Sequence, residues 1–158
     1  MGLLRRIIRE GRFTETAPEL LELASEAKVF RGSFQIRHVD AGSCNGCELE
    51  LSGCFGPTYD AERHGINLTP SPRHADGLAV TGVVTRNMMK PLLDAHEAMA
   101  HPSVVIAIGD CACNGGLFKD GYGVVGPVSE VMTPDAYVLG CPPKPVEIIA
   151  TLRRFSGR

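Results

Sequence analysis

The chain has 158 residues, of which 44% are hydrophobic and 22% charged, and a formal net charge of -2. These values fit one ordinary globular domain, able to bury about 68–70% of the surface that its unfolded chain exposes, and they exclude a disordered chain. They also leave no surplus of positive charge to recruit nucleic acid, so none is expected as a partner.

At the start of the chain, Leu3, Leu4, Ile7 and Ile8 fall on one helical stripe, with Arg5, Arg6, Arg9 and Arg12 around it. The pattern predicts a short basic amphipathic helix, packed on its own domain or docked on a partner or membrane surface. The opening MGLLRRIIREGR contains no apolar leader core, and position 6 is Arg where a myristoylation motif needs Ser or Thr. No stretch approaches the 18 or so apolar residues of a membrane span, so the chain is not expected to cross a bilayer. Six cysteines without a secretory signal predict a reducing compartment. Thr16 and Glu19 form a capping box, Pro18 suits a first helical turn, and a helix is predicted to about Val29, ended by Gly32. Residues 1–32 are thus expected to form a helical arm outside the main sheet, and residues 33–158 an α/β domain.

FQIRHV (34–39) alternates as a strand does. After it, ELELSGCF predicts a short helix with Leu49 inward and Glu48 outward, in which Cys54 reads as a small buried hydrophobe. A weak strand at 65–69 and a Pro-rich surface loop precede GLAVTG (77–82), a buried strand. Residues 86–100 predict a helix carrying Met88, Met89, Leu92, Leu93 and Met99, with the methionines in the core and Pro91 early enough to be tolerated. SVVIAIG (103–109) is a continuous apolar run of the kind found in the middle of a parallel sheet. The glycine-rich segment beyond it reads as a long loop. It contains a literal GxGxxG at Gly121, Gly123 and Gly126, but no strand leads into it and Pro127 follows where a phosphate-binding helix would open. AYVLG (136–140) is the last strand, and a closing helix is predicted at 146–154.

Strands separated by helices and long crossovers predict a parallel sheet. Cys44, Cys47, Cys111 and Cys141 each follow a strand, at the sheet edge where such folds bind ligands. The Cys-x-x-Cys pair alone fits an iron-sulfur cluster, a zinc site or a thiol redox pair. Four thiolates on one edge, the last followed by Pro142 as in a bacterial ferredoxin motif, favour a 4Fe-4S cluster over zinc. A flavin carrier is a further alternative, without a recognisable phosphate loop to support it.

GSCNGCELE, TGVVTRNM, GDCACNGGLF and YVLGCPP occur in this order. Through nearly all of residues 34–155 the chain resembles the small iron-sulfur subunit shared by membrane-bound, energy-converting nickel-iron hydrogenases and by respiratory complex I, where it is the 20 kDa subunit. The resemblance implies a flavodoxin-like fold carrying one 4Fe-4S cluster on Cys44, Cys47, Cys111 and Cys141, with Cys113 outside the ligand pattern. Complex I subunits of this kind typically have their first two cluster cysteines adjacent. Here Asn45 and Gly46 separate them, as in the hydrogenase branch. That branch implies an electron relay between a ferredoxin-like iron-sulfur subunit and the nickel-iron site of a large subunit, in a complex with membrane-arm subunits. The chain would have no catalysis of its own and would sit peripherally on the cytoplasmic side of the membrane. The alternative is donation of electrons to quinone in a complex I-like enzyme. The chain has no further cysteine-rich domain of the kind found in soluble uptake hydrogenases, which points to the ferredoxin-like route. Glu50 is expected near the large subunit, and Thr85 and Arg86 at the interface.

Overall fold

A computed structural model describes Phe30 and residues 32–158. The predicted helical arm therefore lies outside the described residues, apart from the turn that ends it. There Gly32 has φ +84° and Ser33 N–H donates to Phe30 O at 3.0 Å.

Among the described residues the sheet has five parallel strands. β1 (Phe34–Asp40), β2 (Ile66–Leu68), β3 (Gly77–Thr81), β5 (Val104–Ile108) and β7 (Ala136–Val138) stand in the order β2-β1-β3-β5-β7. This is the doubly wound, flavodoxin-like arrangement, in which the strand order reverses beside β1 and ligands lie beyond the carboxyl ends. β3 and β5 are buried at every residue, as their uninterrupted apolar runs predict.

Helices cover both faces. On one side α1 (Gly46–Cys54) and α4 (Pro145–Ser156) close over Phe34, Ile36, Ile106 and Ile108, and Phe155 stacks on Phe34 with ring centroids 5.5 Å apart. On the other side α2 (Arg86–Glu97) contributes Leu92 and the short α3 (Asp110–Asn114) contributes Ala112 to a second core with Leu78, Val80 and Val105. Each buried Ile or Leu adds roughly 1.5–3 kcal/mol of transfer free energy, so the two cores fix the sheet that presents the cysteine loops.

Three expectations are corrected. Leu49 points outward, 72% exposed, while Glu48 is half-buried. At 100° per residue, Cys47, Leu51 and Cys54 share one stripe and form the buried face, whereas Leu49 falls nearly opposite. Met89 also lies on the surface, because only Leu92 of α2 reaches the core fully. The glycine-rich segment is not a plain loop. It carries β6 (Val124–Gly126), which pairs antiparallel with β4 (Val84–Thr85), and single 3-10 turns at Gly116–Phe118 and Val128–Glu130. Gly126 ends a strand instead of opening a helix, so the GxGxxG spacing has no phosphate-binding geometry.

Candidate metal centre

Cys44, Cys47, Cys111 and Cys141 line one cavity of about 110 Å³, together with Ser43, Gly46, Gly82, Asp110, Gly140 and Pro142. The sulfurs arrive from the carboxyl ends of three strands. β1 leads to Cys44 and Cys47, β5 to Cys111 and β7 to Cys141, while β3, between β1 and β5, adds Gly82 to the wall. A cavity this small sits below the roughly 300–1,000 Å³ of organic-ligand sites, which disfavours a flavin there.

Each loop is shaped by local chemistry. Asp40, the last residue of β1, accepts N–H bonds from Gly42 at 2.8 Å and Ser43 at 2.7 Å through Oδ1. This Asx-type turn swings the chain off the sheet towards Cys44. Ser43 Oγ accepts the Asn45 N–H at 3.1 Å, and Asn45 takes the left-handed φ of +69° just before α1. Gly109 takes φ +90° between β5 and α3. A Cβ there would run into Cys47 Sγ, and one on Gly116 would come within 2.9 Å of Cys111 Sγ.

Burial and mutual crowding act on the cavity thiols. Burial first, then the neighbouring Cys111, Cys44 and Cys141 and finally Asp110, push the Cys47 thiol up to about 11. Cys111 is raised by burial and then by Cys141, Cys44 and Asp110. Thiols used for exchange are lowered by cations or helix N-termini; here Cys47 and Cys111 stand in the first turns of α1 and α3, yet burial and the neighbouring sulfurs raise both, and among the described residues no Lys, Arg or His lines the cavity. Four thiolates become stable together when cationic metal balances them. No three His, Cys, Asp or Glu side chains among the described residues close around a single ion.

Cys54 and Cys113 lie elsewhere. Cys54 Sγ donates to Glu50 O at 3.3 Å and Pro145 O at 3.6 Å, and Cys113 Sγ to Ala107 O at 3.5 Å and Val138 O at 3.6 Å. Neither Glu50 nor Thr85 lines the cavity. The Thr85 hydroxyl donates to Ala41 O at 3.0 Å. Sequence reasoning missed Asp110, Gly82 and Gly140, which have no motif of their own beyond standing next to the cysteines or at a strand end.

A polar chain underlies α1. His38 Nε2 lies 2.8 Å from the hydroxyl of the fully buried Thr81, which donates to Glu48 Oε1 at 3.5 Å. Burial holds the His38 imidazole below its ordinary 6.5, against the opposing pull of Glu48 and Asp40, and Arg37 lowers it further. The unfolded chain then takes up a proton that the folded chain resists, so this contribution to stability is complete above about pH 6.5 and is lost as pH falls through the lower folded value. Thermal melts should show the wild type losing stability from pH 7 to 5.5 with a slope that His38→Gln reduces. Parallel curves for the two proteins would contradict the assignment to His38.

A family model described as the NADH ubiquinone oxidoreductase 20 Kd subunit matches residues 44–155. Formate hydrogenlyase subunit 7 of Escherichia coli is 44% identical over 133 residues, which cover 84% of this chain and 51% of that protein. The chain thus spans about half the length of that relative. The "Probable membrane-bound hydrogenase subunit mbhJ" of Pyrococcus furiosus is 40% identical over 127 residues, 80% of this chain and 76% of that one. Among solved structures, a chain of the membrane-bound sulfane sulfur reductase, an archaeal respiratory membrane complex, aligns with a TM-score of 0.71 and 29% identity over 87% of this chain and 75% of its own. The family match opens at the first of the four cavity cysteines and closes inside α4, so it takes in all four and most of the scaffold that carries them. On that match the chain belongs to the family of the 20 kDa subunit of NADH:ubiquinone oxidoreductase.

Proposed function

We propose that this chain holds one 4Fe-4S cluster on Cys44, Cys47, Cys111 and Cys141 and serves as the electron-transfer subunit of a membrane-bound hydrogenase complex. It would relay electrons between a ferredoxin-like iron-sulfur subunit and the nickel-iron site of a large subunit. The observation that carries the reading is the convergence of four thiols, from three strand ends, on one compact cavity that no cation among the described residues lines. When bound, the cluster supplies a one-electron carrier.

The protein's own residues provide the seat. Gly109 and Gly116 leave room for the sulfurs of Cys47 and Cys111, and the buried face of α1 keeps Cys47 out of water. Leu49, two residues after Cys47, and Leu139, two before Cys141, are exposed apolar side chains. They suit burial against a partner subunit. No helix among the described residues is long and apolar enough to cross a membrane, in keeping with a peripheral subunit, which we place on the cytoplasmic side and hold to the bilayer through membrane-arm subunits.

The second reading, electron donation to quinone in a complex I-like enzyme, is favoured by the description of the matching family itself. Cys44 and Cys47, separated by Asn45 and Gly46, and the two hydrogenase relatives favour the first. Anaerobic purification of the native complex decides between them. Expected are about four irons for this chain, bound nickel in the partner and hydrogen evolution or uptake, with the isolated chain inactive. Quinone reduction without nickel or hydrogen activity selects the second reading, and a zinc-loaded, colourless chain removes both.

A further inference from the structure

We propose that Asp110 is a positioning residue of the cavity, whose carboxylate clamps the Cys141 loop to the Cys111 loop and sets a fixed negative charge beside the four sulfurs, lowering the potential of the carrier held there. The inference rests on the cluster reading above. Asp110 Oδ1 accepts the Gly140 N–H at 2.8 Å, and the Asp110 N–H donates to Gly140 O at 2.9 Å. Two bonds in opposite directions between one pair of residues fix both the spacing and the rotation of the two loops. Cys111 and Cys141 each stand one residue beyond that clamp. Gly140 is itself confined, with φ +137° and room for no side chain, since a Cβ would come within 2.6 Å of Pro143 Cα.

Two effects then act in the same direction. A carboxylate lining the cavity disfavours added negative charge, and net charge is one of the levers on a cluster's potential. The bond to Asp110 also takes the Gly140 amide away from the donors that could reach a sulfur, and such donors stabilise the reduced form. Among the described residues no cationic side chain lines the cavity to offset the carboxylate.

Asp110→Asn keeps an oxygen for the Gly140 N–H and removes the charge, while Asp110→Ala removes both and Asp110→Glu keeps the charge. The test is a redox titration followed by electron paramagnetic resonance, with iron release to a chelator, on the anaerobically purified complex containing the full chain. Asp110→Asn is expected to retain its iron and to raise the ratio of reduced to oxidised cluster at a fixed ambient potential about tenfold, about 59 mV for one electron. Asp110→Glu should stay within about twofold of wild type, and Asp110→Ala should show the upward shift and also lose iron faster. Asp94→Asn, which breaks an exposed ion pair with Lys90 on α2, serves as the control and should not move the potential. A wild-type potential in Asp110→Asn, wild-type iron retention in Asp110→Ala, or an equal shift in Asp94→Asn overturns the proposal. Failure of the cluster reading itself is seen separately, as a wild type without iron.

Discussion

Cys141→Ala protein, prepared anaerobically, should lose its brown colour and most of its iron, and Cys44→Ala, Cys47→Ala and Cys111→Ala should do the same or convert the cluster to a form with less iron. Each removes one of four donors around a single small cavity, and no spare thiol is turned towards it. Cys54 and Cys113, the remaining cysteines, have their sulfurs engaged with backbone carbonyls of the surrounding structure. Cys54→Ala and Cys113→Ala should therefore keep full iron at a cost of about 1 kcal/mol in stability. Iron per chain, visible absorption and circular dichroism on the six variants make the comparison. Full iron in Cys141→Ala, or its loss in Cys54→Ala with the fold intact, would sink the ligand assignment.

Gly109→Ala should be nearly as damaging with every cysteine still in place. At φ +90° and ψ 156° the backbone occupies a region that is essentially reserved for glycine, and a side chain there costs of order 1–3 kcal/mol. The new methyl would also collide with Cys47 Sγ. The sulfur, at the end of a side chain, yields more readily than the Gly109–Val138 and Asp110–Gly140 backbone bonds that hold β5 against β7. The expected protein is folded by circular dichroism, melts lower than wild type, and holds well under half of the wild-type iron. Wild-type iron content would show that this contact does not fix the sulfur.

Much of this was legible in the sequence, for identifiable reasons. Residues 103–109 and 77–82 are continuous apolar runs, and strands buried on both faces leave no other signature. With strands also placed at 34–39 and 136–140, the cysteines that follow 34–39, 103–109 and 136–140 had to meet at one edge. β4 and β6 were not legible, since they have two and three residues, one against the start of a helix and the other among glycines, too short for any periodicity to show. Leu49 was misread because its hydrophobicity was weighed ahead of its angle on the helix, where Cys47, Leu51 and Cys54 already fill the inner stripe. Asp110 escaped notice because its partner, Gly140, lies 30 positions away and is met only when β5 and β7 pair.

That the four sulfurs come from the ends of β1, β5 and β7, with β3 between the first two, has a consequence for biogenesis. Cys44 emerges from the ribosome long before Cys141, and local folding around Cys44 and Cys47 offers two of the four donors at most. The seat closes only when the central strands have assembled and β7, at the far edge, has docked on β5, a set of non-local pairings whose loop-closure entropy must be met first. Iron and sulfide delivered to the nascent chain would find half a site. Loading of the proposed cluster should therefore follow the docking of β7 on β5, and iron retention would report whether that strand has found its place.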